Sequence, residues 1–292
     1  MDKLIVGIGE ILWDMLPEGK KLGGAPANFA YHAGQSGLNS CVVSAIGNDN
    51  AGREILEHLK MKKLNYSIRQ TDYPTGSVLV HLDEAGIPCY EIQQQVAWDN
   101  VAYTPELEEI AARTNAVCFG TLAQREEVSR VTINRFLDRM PDGDKQYKIF
   151  DINLRQHFYN REILAQSFRR CNILKLNDEE LVIIRNMFGY KQTDTQAICN
   201  ALRSDYDLKI VILTCGVNGS YVFTCEGNSF YETPRIQVRD TVGAGDSFTA
   251  TFCAALLKNR NLREAHRLAV EVSAYVCTQD GAMPPLPDHL KY

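Results

Sequence analysis

The sequence predicts an α/β fold: a doubly wound, mostly parallel sheet with helices on both faces, plus a small β-sheet lid. Three observations carry this expectation. From residue 116 onward, short apolar runs alternate with helical patterns, the rhythm of a parallel sheet covered on both sides. Polar residues fall just after several of those runs: Asp14, Gln124, Asn153, Arg155, Asn177, Thr214 and Asp246. In such sheets ligands bind at the C-terminal strand ends. Finally, the runs Gly76 to Leu82 and Ile87 to Val96 follow each other with only Asp83 to Gly86 between them. No helix separates them, so they form a hairpin outside the βαβ rhythm.

The chain has 292 residues, 45% hydrophobic and 23% charged, enough for a large core. It reads as one domain over residues 1–292, with the lid drawn from about 11–23 and 75–102. The net charge is −5 and no basic stripe is visible, which argues against a nucleic-acid partner. Apolar stretches break well short of the ~20 residues a membrane span needs. Asp2, Glu10 and Asp14 around the first apolar run argue against a signal peptide. Nine cysteines without a C-x-x-C pair read as reduced core residues of a cytoplasmic protein.

In chain order, Lys3 to Ile8 is a strand. The Gly7-x-Gly9 pair after it lacks the third glycine of a dinucleotide-binding turn. Pro17 to Gly19 is a turn between two short strands. Gly23-Gly24 and Pro26 lead into a helix whose small residues at 25, 27, 30 and 33 allow close packing. Cys41 to Gly47 is a strand and Arg53 to Lys62 an amphipathic helix. Ala116 to Leu122 is a buried strand, Val128 to Met140 a helix, and Lys148 to Ile152 a strand ending in Asn153-Leu154-Arg155. Ile173 to Leu176 runs into Asn177-Asp178-Glu179-Glu180, a capping sequence at a helix start. Lys209 to Leu213 is a β-branched strand before a glycine turn, Thr214 to Ser220. A β-like run from Tyr231 to Val238 precedes the helix that begins near Asp246. A last helix covers Leu262 to Thr278, and Pro284-Pro285 prevents more.

The most informative stretch is Arg239 to Ala250, with Gly243, Ala244 and Gly245 just before Asp246. Small residues at a helix mouth expose backbone N–H groups to an anion, and the helix dipole adds positive charge there. A plain N-cap by Asp246 or Ser247 explains the same residues without function. A carboxylate at a helix start is expected to have a low pKa.

This string resembles the C-terminal signature of the ribokinase-like (PfkB) carbohydrate kinases, and Leu22 to Ala33 resembles their N-terminal sugar-binding signature. The resemblance runs the length of the chain. It implies a cytoplasmic kinase that transfers the γ-phosphoryl group of ATP to a sugar hydroxyl with Mg2+. Asp246 would be the general base, Gly243, Ala244 and Gly245 the anion hole, and Arg155 a contact to the transferring phosphate. Asp14, Gly23, Gly24, Asn28 and Gln124 would bind sugar. Asn177, Thr214, Gly216 and Gly219 would line the nucleotide, with Glu180 holding Mg2+ through water. The last helix would wall the adenine pocket. Gly9-Glu10 and Asp14 point to the fructokinase branch, hence fructose. Ribose, 2-keto-3-deoxygluconate and nucleosides stay open as substrates.

Two departures from the family pattern stand out. Pro285 occupies a place where relatives carry a small hydroxyl residue near a monovalent cation, so K+ held by Asp240, Val242 and Gly281 is an open expectation. Asn153 to Gln156 lacks the proline of the fructokinase version. Two other classes stay open: a catalytically silent sugar sensor on the same fold, and an NAD-linked oxidoreductase. Apolar residues on both faces of the hairpin (Val78 and Val80 against Leu79) imply a homodimer through the lid.

Overall fold

The computed structural model describes residues 3–16, 19–82 and 88–291. Its centre is a nine-stranded sheet. The strands in chain order are β1 (Leu4–Ile8), β4 (Asn39–Gly47), β5 (Asn65–Thr71), β8 (Thr114–Phe119), β9 (Tyr147–Asp151), β10 (Ile173–Asn177), β11 (Ile210–Thr214), β12 (Ser220–Phe223) and β13 (Asn228–Tyr231). Their spatial order is β13-β12-β11-β10-β9-β8-β1-β4-β5. All neighbouring pairs from β11 to β5 are parallel, and β12 and β13 add an antiparallel edge.

The helices are α1 (Ala25–Gln35), α2 (Asn50–Met61), α3 (Pro105–Arg113), α4 (Glu127–Arg139), α5 (Arg161–Arg170), α6 (Asp178–Phe188), α7 (Thr195–Asp205), α8 (Ala244–Leu257) and α9 (Leu262–Cys277). Strand alternation decides which face each residue serves. Ile5, Ala116, Ile149, Ile173 and Ile212 pack against α1, α8 and α9. Their neighbours Val6, Val117, Phe150, Leu174 and Val211 pack against α3 to α7. Because both faces are covered, the strands read as continuous apolar runs with a hidden period of two. Helix α2 joins the α1 side through Ile55 and Leu59, which meet Val42 and Ile46 of β4.

The chain leaves β1 toward β4 and β5 on one side and returns to β8 on the other. This reversal opens a crevice at the C-terminal ends of the strands, where doubly wound folds bind ligands. Phe150 stacks on Phe119 at 5.1 Å and meets Phe168 edge-on at 5.8 Å. Losing such a ring costs about 3–5 kcal/mol, so the end of β9, with Asp151, is firmly held at the crevice.

The lid is a separate four-stranded sheet. It comprises β2 (Leu12–Leu16), β3 (Gly19–Gly23), β6 (Gly76–Leu82) and β7 (Pro88–Ile92), in the order β3-β2-β6-β7. The register places Asp14 between Lys21 and Val78, and Val78 beside Ile92. Val78 and Ile92 are buried in the core that also holds Leu12. The face carrying Asp14 therefore turns toward the main sheet. On the opposite face Trp13 is tied down: its Nε1 donates to Ala51 O at 3.0 Å, and its ring lies edge-on to His58. The next pair on that face, Met15 beside Leu79, is 38% and 39% exposed.

Several expectations need correction. The β-like run 231–238 ends as strand at Tyr231, because Pro234 cannot donate to a sheet ladder. The lid is shorter than 75–102: residues 97–100 form a 3-10 turn whose Ala97 and Trp98 are buried in the main core. Strand β8 stops at Phe119 rather than Leu122, and the chain then turns through Leu122–Gln124 in a 3-10 helix. The turn at 83–86 and residues 17–18 lie outside the described residues. Among the described residues eight cysteines are free, and no helix is long and apolar enough to cross a membrane.

Candidate active site

Asp246 lies in the first turn of α8. The residue before that helix, Gly243, has φ of 78°, a left-handed conformation that favours glycine. No side chain caps α8. Ser247 N donates to Gly243 O at 2.8 Å, the first bond of the helix ladder. The N–H groups of Gly245 and Asp246 precede it, and the helix cannot use them. They form a ready anion site with the positive end of the dipole behind it. The loop that follows α9 closes against this turn. His32 Nε2 lies 2.8 Å from Ala282 O, and Lys62 Nζ donates to Met283 O at 2.9 Å, tying the loop to α1 and α2.

Helix α1 supplies the partner of Asp246. Asn28, buried in its first turn, donates from Nδ2 to Asp246 Oδ2 at 2.8 Å. Its Oδ1 is buried without a hydrogen-bond partner. The turn into α1 needs Gly24, whose φ is 116° and whose added Cβ would lie 2.5 Å from Glu10 O. Asp14 reaches the same region from the lid. Its carboxylate rests on Gly23, where an added Cβ would meet Oδ2 at 2.4 Å. The charges of Arg155, Asp240 and Lys21 all reach Asp14.

Burial dominates the electrostatics. It pushes Asp246 up to about 6, reinforced by the charge of Asp151 and opposed by Asn28, Lys175 and Arg155. The expectation of a low pKa is thus reversed, because lost hydration and a nearby carboxylate outweigh the helix dipole. Burial also lifts Asp14 to about 6. Glu10, just past the end of β1, is pushed up to about 7 by burial and by Asp246, and its Oε2 is buried with no partner.

At the next strand ends the capping sequence is fully formed. Asn177 Oδ1 accepts from Glu180 N at 2.7 Å, and Glu180 Oε2 accepts from Asn177 N at 2.8 Å. Glu180 Oε1 also accepts from Leu154 N at 2.8 Å, so this carboxylate fixes the loop that carries the exposed Arg155. Thr214 ends β11 beside Asn177 in register. Gly216 is exposed on the rim, and its O accepts from Thr233 Oγ1 at 2.5 Å. Gly219 is buried instead, and an added Cβ would lie 2.5 Å from Tyr231 O. Close packing on β13 explains that glycine.

Among the described residues no group of three or more acidic, histidine or cysteine side chains could cage a metal. Asp178, Glu179 and Glu180 all lie in the first turn of α6, and of these Glu180 is buried with each oxygen accepting a backbone N–H, so any Mg2+ near it would be held mainly by phosphate and water. Asp240 gathers the loop proposed for a monovalent cation. Its Oδ1 accepts from Val242 N at 3.0 Å and its Oδ2 from Gly281 N at 3.1 Å. Lys21 Nζ lies 3.7 Å from the same Oδ2, joining the lid to this loop.

Gln124 does not join the site. It is 1% exposed, and its Nε2 donates to Gly120 O at 2.8 Å and to Ser167 Oγ at 3.0 Å. The 3-10 turn after β8 rotates it into the core. Asp151, the last residue of β9, and Lys175, the lone charge within the apolar β10, also border this region; only Lys175 stands out in the sequence, because β9 carries Lys148 as well.

The model of the pfkB family carbohydrate kinases matches residues 18–289. The chain belongs to this family. An ATP-dependent 6-phosphofructokinase of Thermoanaerobacterium thermosaccharolyticum is 29% identical, covering 97% of this chain and 91% of that protein. A fructokinase of Salmonella typhimurium is 27% identical, covering 96% and 95%. Among solved structures, a sugar kinase of Pyrococcus horikoshii in complex with ATP superposes with a TM-score of 0.80 at 25% identity, covering 96% and 94%. The protein is therefore a sugar kinase on a ribokinase-like fold. The dinucleotide-oxidoreductase alternative falls.

Proposed function

We propose that this pfkB-family kinase phosphorylates fructose, with Asp246 as general base. The observation that carries the reading is the Asn28–Asp246 pair at the first turn of α8, which no side chain caps. It supports the reading because a carboxylate, helix N–H groups that no side chain caps and a buried amide oxygen meet in one crevice. Asn28 Oδ1, buried and unpartnered, suits a sugar hydroxyl donor. Asp14 across the crevice can accept two more hydroxyls.

Asp246 takes the proton of the attacking primary hydroxyl. A carboxylate near 6 is ionised at neutral pH yet more basic than an ordinary aspartate, which suits that task. The N–H groups of Gly245 and Asp246 stabilise the charge that gathers on the γ-phosphoryl group. Gly243 and Ala244 shape the turn, and Arg155 reaches the phosphate from its exposed loop. Asn177, Thr214 and Gly216 line the nucleotide side. Glu180 would hold Mg2+ through water, and the ion would supply positive charge against the β- and γ-phosphates when the nucleotide is bound. The loop of Asp240, Val242 and Gly281 would hold K+. The lid closes over the sugar, and its exposed Met15–Leu79 face pairs with a second copy.

A substrate with an anionic tail is the second reading. Lys21 and Arg155 are the two cations whose charge reaches Asp14. A coupled assay of ADP release with fructose, fructose 6-phosphate, ribose, 2-keto-3-deoxygluconate and adenosine separates the readings. Fructose should give the highest kcat/KM. Preference for either anionic sugar favours the second reading, and preference for ribose or adenosine removes both.

A further inference from the structure

Lys175 sits in the middle of β10, on the face that packs against α8; its flanking residues Leu174 and Leu176 serve the opposite core. It is directly opposite Asp151 of β9. Its Nζ lies 3.1 Å from Asp151 Oδ1, with both side chains at least 90% buried. Asp151 Oδ2 in turn accepts from Thr249 Oγ1 of α8 at 3.3 Å. A Cβ added to Gly245 would come within 2.9 Å of Lys175 Nζ. The ammonium therefore lies directly beneath the first turn of α8, in space that only a glycine leaves open.

This placement breaks a local rule. A cation at a helix N-terminus faces the positive end of the dipole and is unfavourable there. A buried ion pair is in general no more stabilising than well-packed apolar residues of the same size. Stability alone thus gives little reason for the pair. A local violation of this kind is expected where function requires it. Nearby carboxylates offset part of that cost, and an anion above the turn would offset more. The charges of Asp151, Glu180 and Asp246 also converge on Lys175, so it links the proposed base to the carboxylate of the nucleotide side.

We propose that Lys175 is a positioning residue of phosphoryl transfer: held by Asp151, it anchors the first turn of α8 and backs the anion hole with positive charge. This rests on the kinase reading above. It does not touch the substrate. It acts through Gly245 and Asp246, strengthening the hole most when the transferring group carries most charge. Its loss should therefore lower kcat and spare ground-state binding.

Lys175→Met alone would strand a buried Asp151 carboxylate and could unfold the chain. The double variant Lys175→Met/Asp151→Asn removes both charges together. Wild type and double variant are compared by melting temperature, by dissociation constant for a fluorescent ATP analogue, and by steady-state kinetics on the best sugar of the panel. The expected result is a folded double variant with kcat roughly 10- to 100-fold lower, and with sugar KM and nucleotide affinity within about threefold. Wild-type kcat in the folded double variant overturns the proposal. So does a loss confined to KM, or a double variant that does not fold, since either reports a structural or binding role. If the wild-type protein itself releases ADP with no sugar, the kinase reading fails and the proposal with it.

Discussion

Replacing Asp246 with Asn should nearly abolish turnover and at the same time make the protein more stable. The carboxylate is held near 6 in the folded protein, against about 3.9 in an unfolded chain. Two units correspond to about 3 kcal/mol. Solvent reaching this half-buried residue reduces the figure to about 2 kcal/mol. The sign follows from proton linkage. Below about pH 4 the group is protonated in both states and contributes nothing. As pH rises past about 6, the folded state carries a buried charge that the unfolded state hydrates freely, so the native fold is destabilised by the full amount. Asparagine keeps the size and the oxygen that accepts from Asn28, and it never ionises. The variant should melt about 4 °C higher at about pH 8, at roughly 2 °C per kcal/mol for a chain of this size. Near pH 4 it should melt like wild type. Its kcat should fall by roughly 10²-fold or more, because the proton acceptor is gone. Scanning fluorimetry at the two pH values and an ADP-release assay read both effects. A lower melting point at about pH 8, or the same gain at both pH values, would refute the electrostatic account.

The remaining predictions concern the same crevice and the lid. The kcat/KM of the wild type should drop below about pH 6, by about tenfold per pH unit for each of Asp246 and Asp14 that must be ionised and so by up to about a hundredfold per unit when both are required; a flat profile down to about pH 5 would contradict this. Asp14→Ala should raise sugar KM by roughly two to four decades, since its two charge-assisted bonds contribute about 1.5–3 kcal/mol each. Gly23→Ala should raise it in the same direction by pushing Oδ2 aside, and unchanged KM in both variants would remove Asp14 from the sugar site. Leu79→Lys should convert the proposed dimer to a monomer by light scattering, since Leu79 lies on the exposed lid face and Val78 is buried. A wild-type mass of one chain at micromolar concentration would rule that interface out.

Much of the architecture was legible because it rests on short-range signals. The rhythm of apolar strands and helix starts gave the parallel sheet, and Gly243 to Asp246 marked the start of α8. The misses have physical causes. Residues 231–238 alternate like a strand, yet Pro234 denies them a ladder. Gln124 follows an apolar run, but β8 ends at Phe119 and the turn after it faces the core. The pKa of Asp246 was misjudged because the helix dipole is visible in sequence while the burial and the charge of Asp151, nearly a hundred residues away, are not. Lys175 shows the limit most clearly. Only the β9–β10 register reveals that its partner is Asp151 and that both lie under α8.

The most direct test of phosphoryl transfer to a sugar hydroxyl uses ATP labelled with heavy oxygen in its γ-phosphoryl group. The enzyme is incubated with this ATP, magnesium and fructose, and the products are read by mass spectrometry. The account predicts a fructose monophosphate carrying the labelled non-bridging oxygens, with the bridging oxygen supplied unlabelled by the sugar. That product should fade in the Asp246→Asn variant. Label found only in inorganic phosphate, with no sugar phosphate formed, would contradict it.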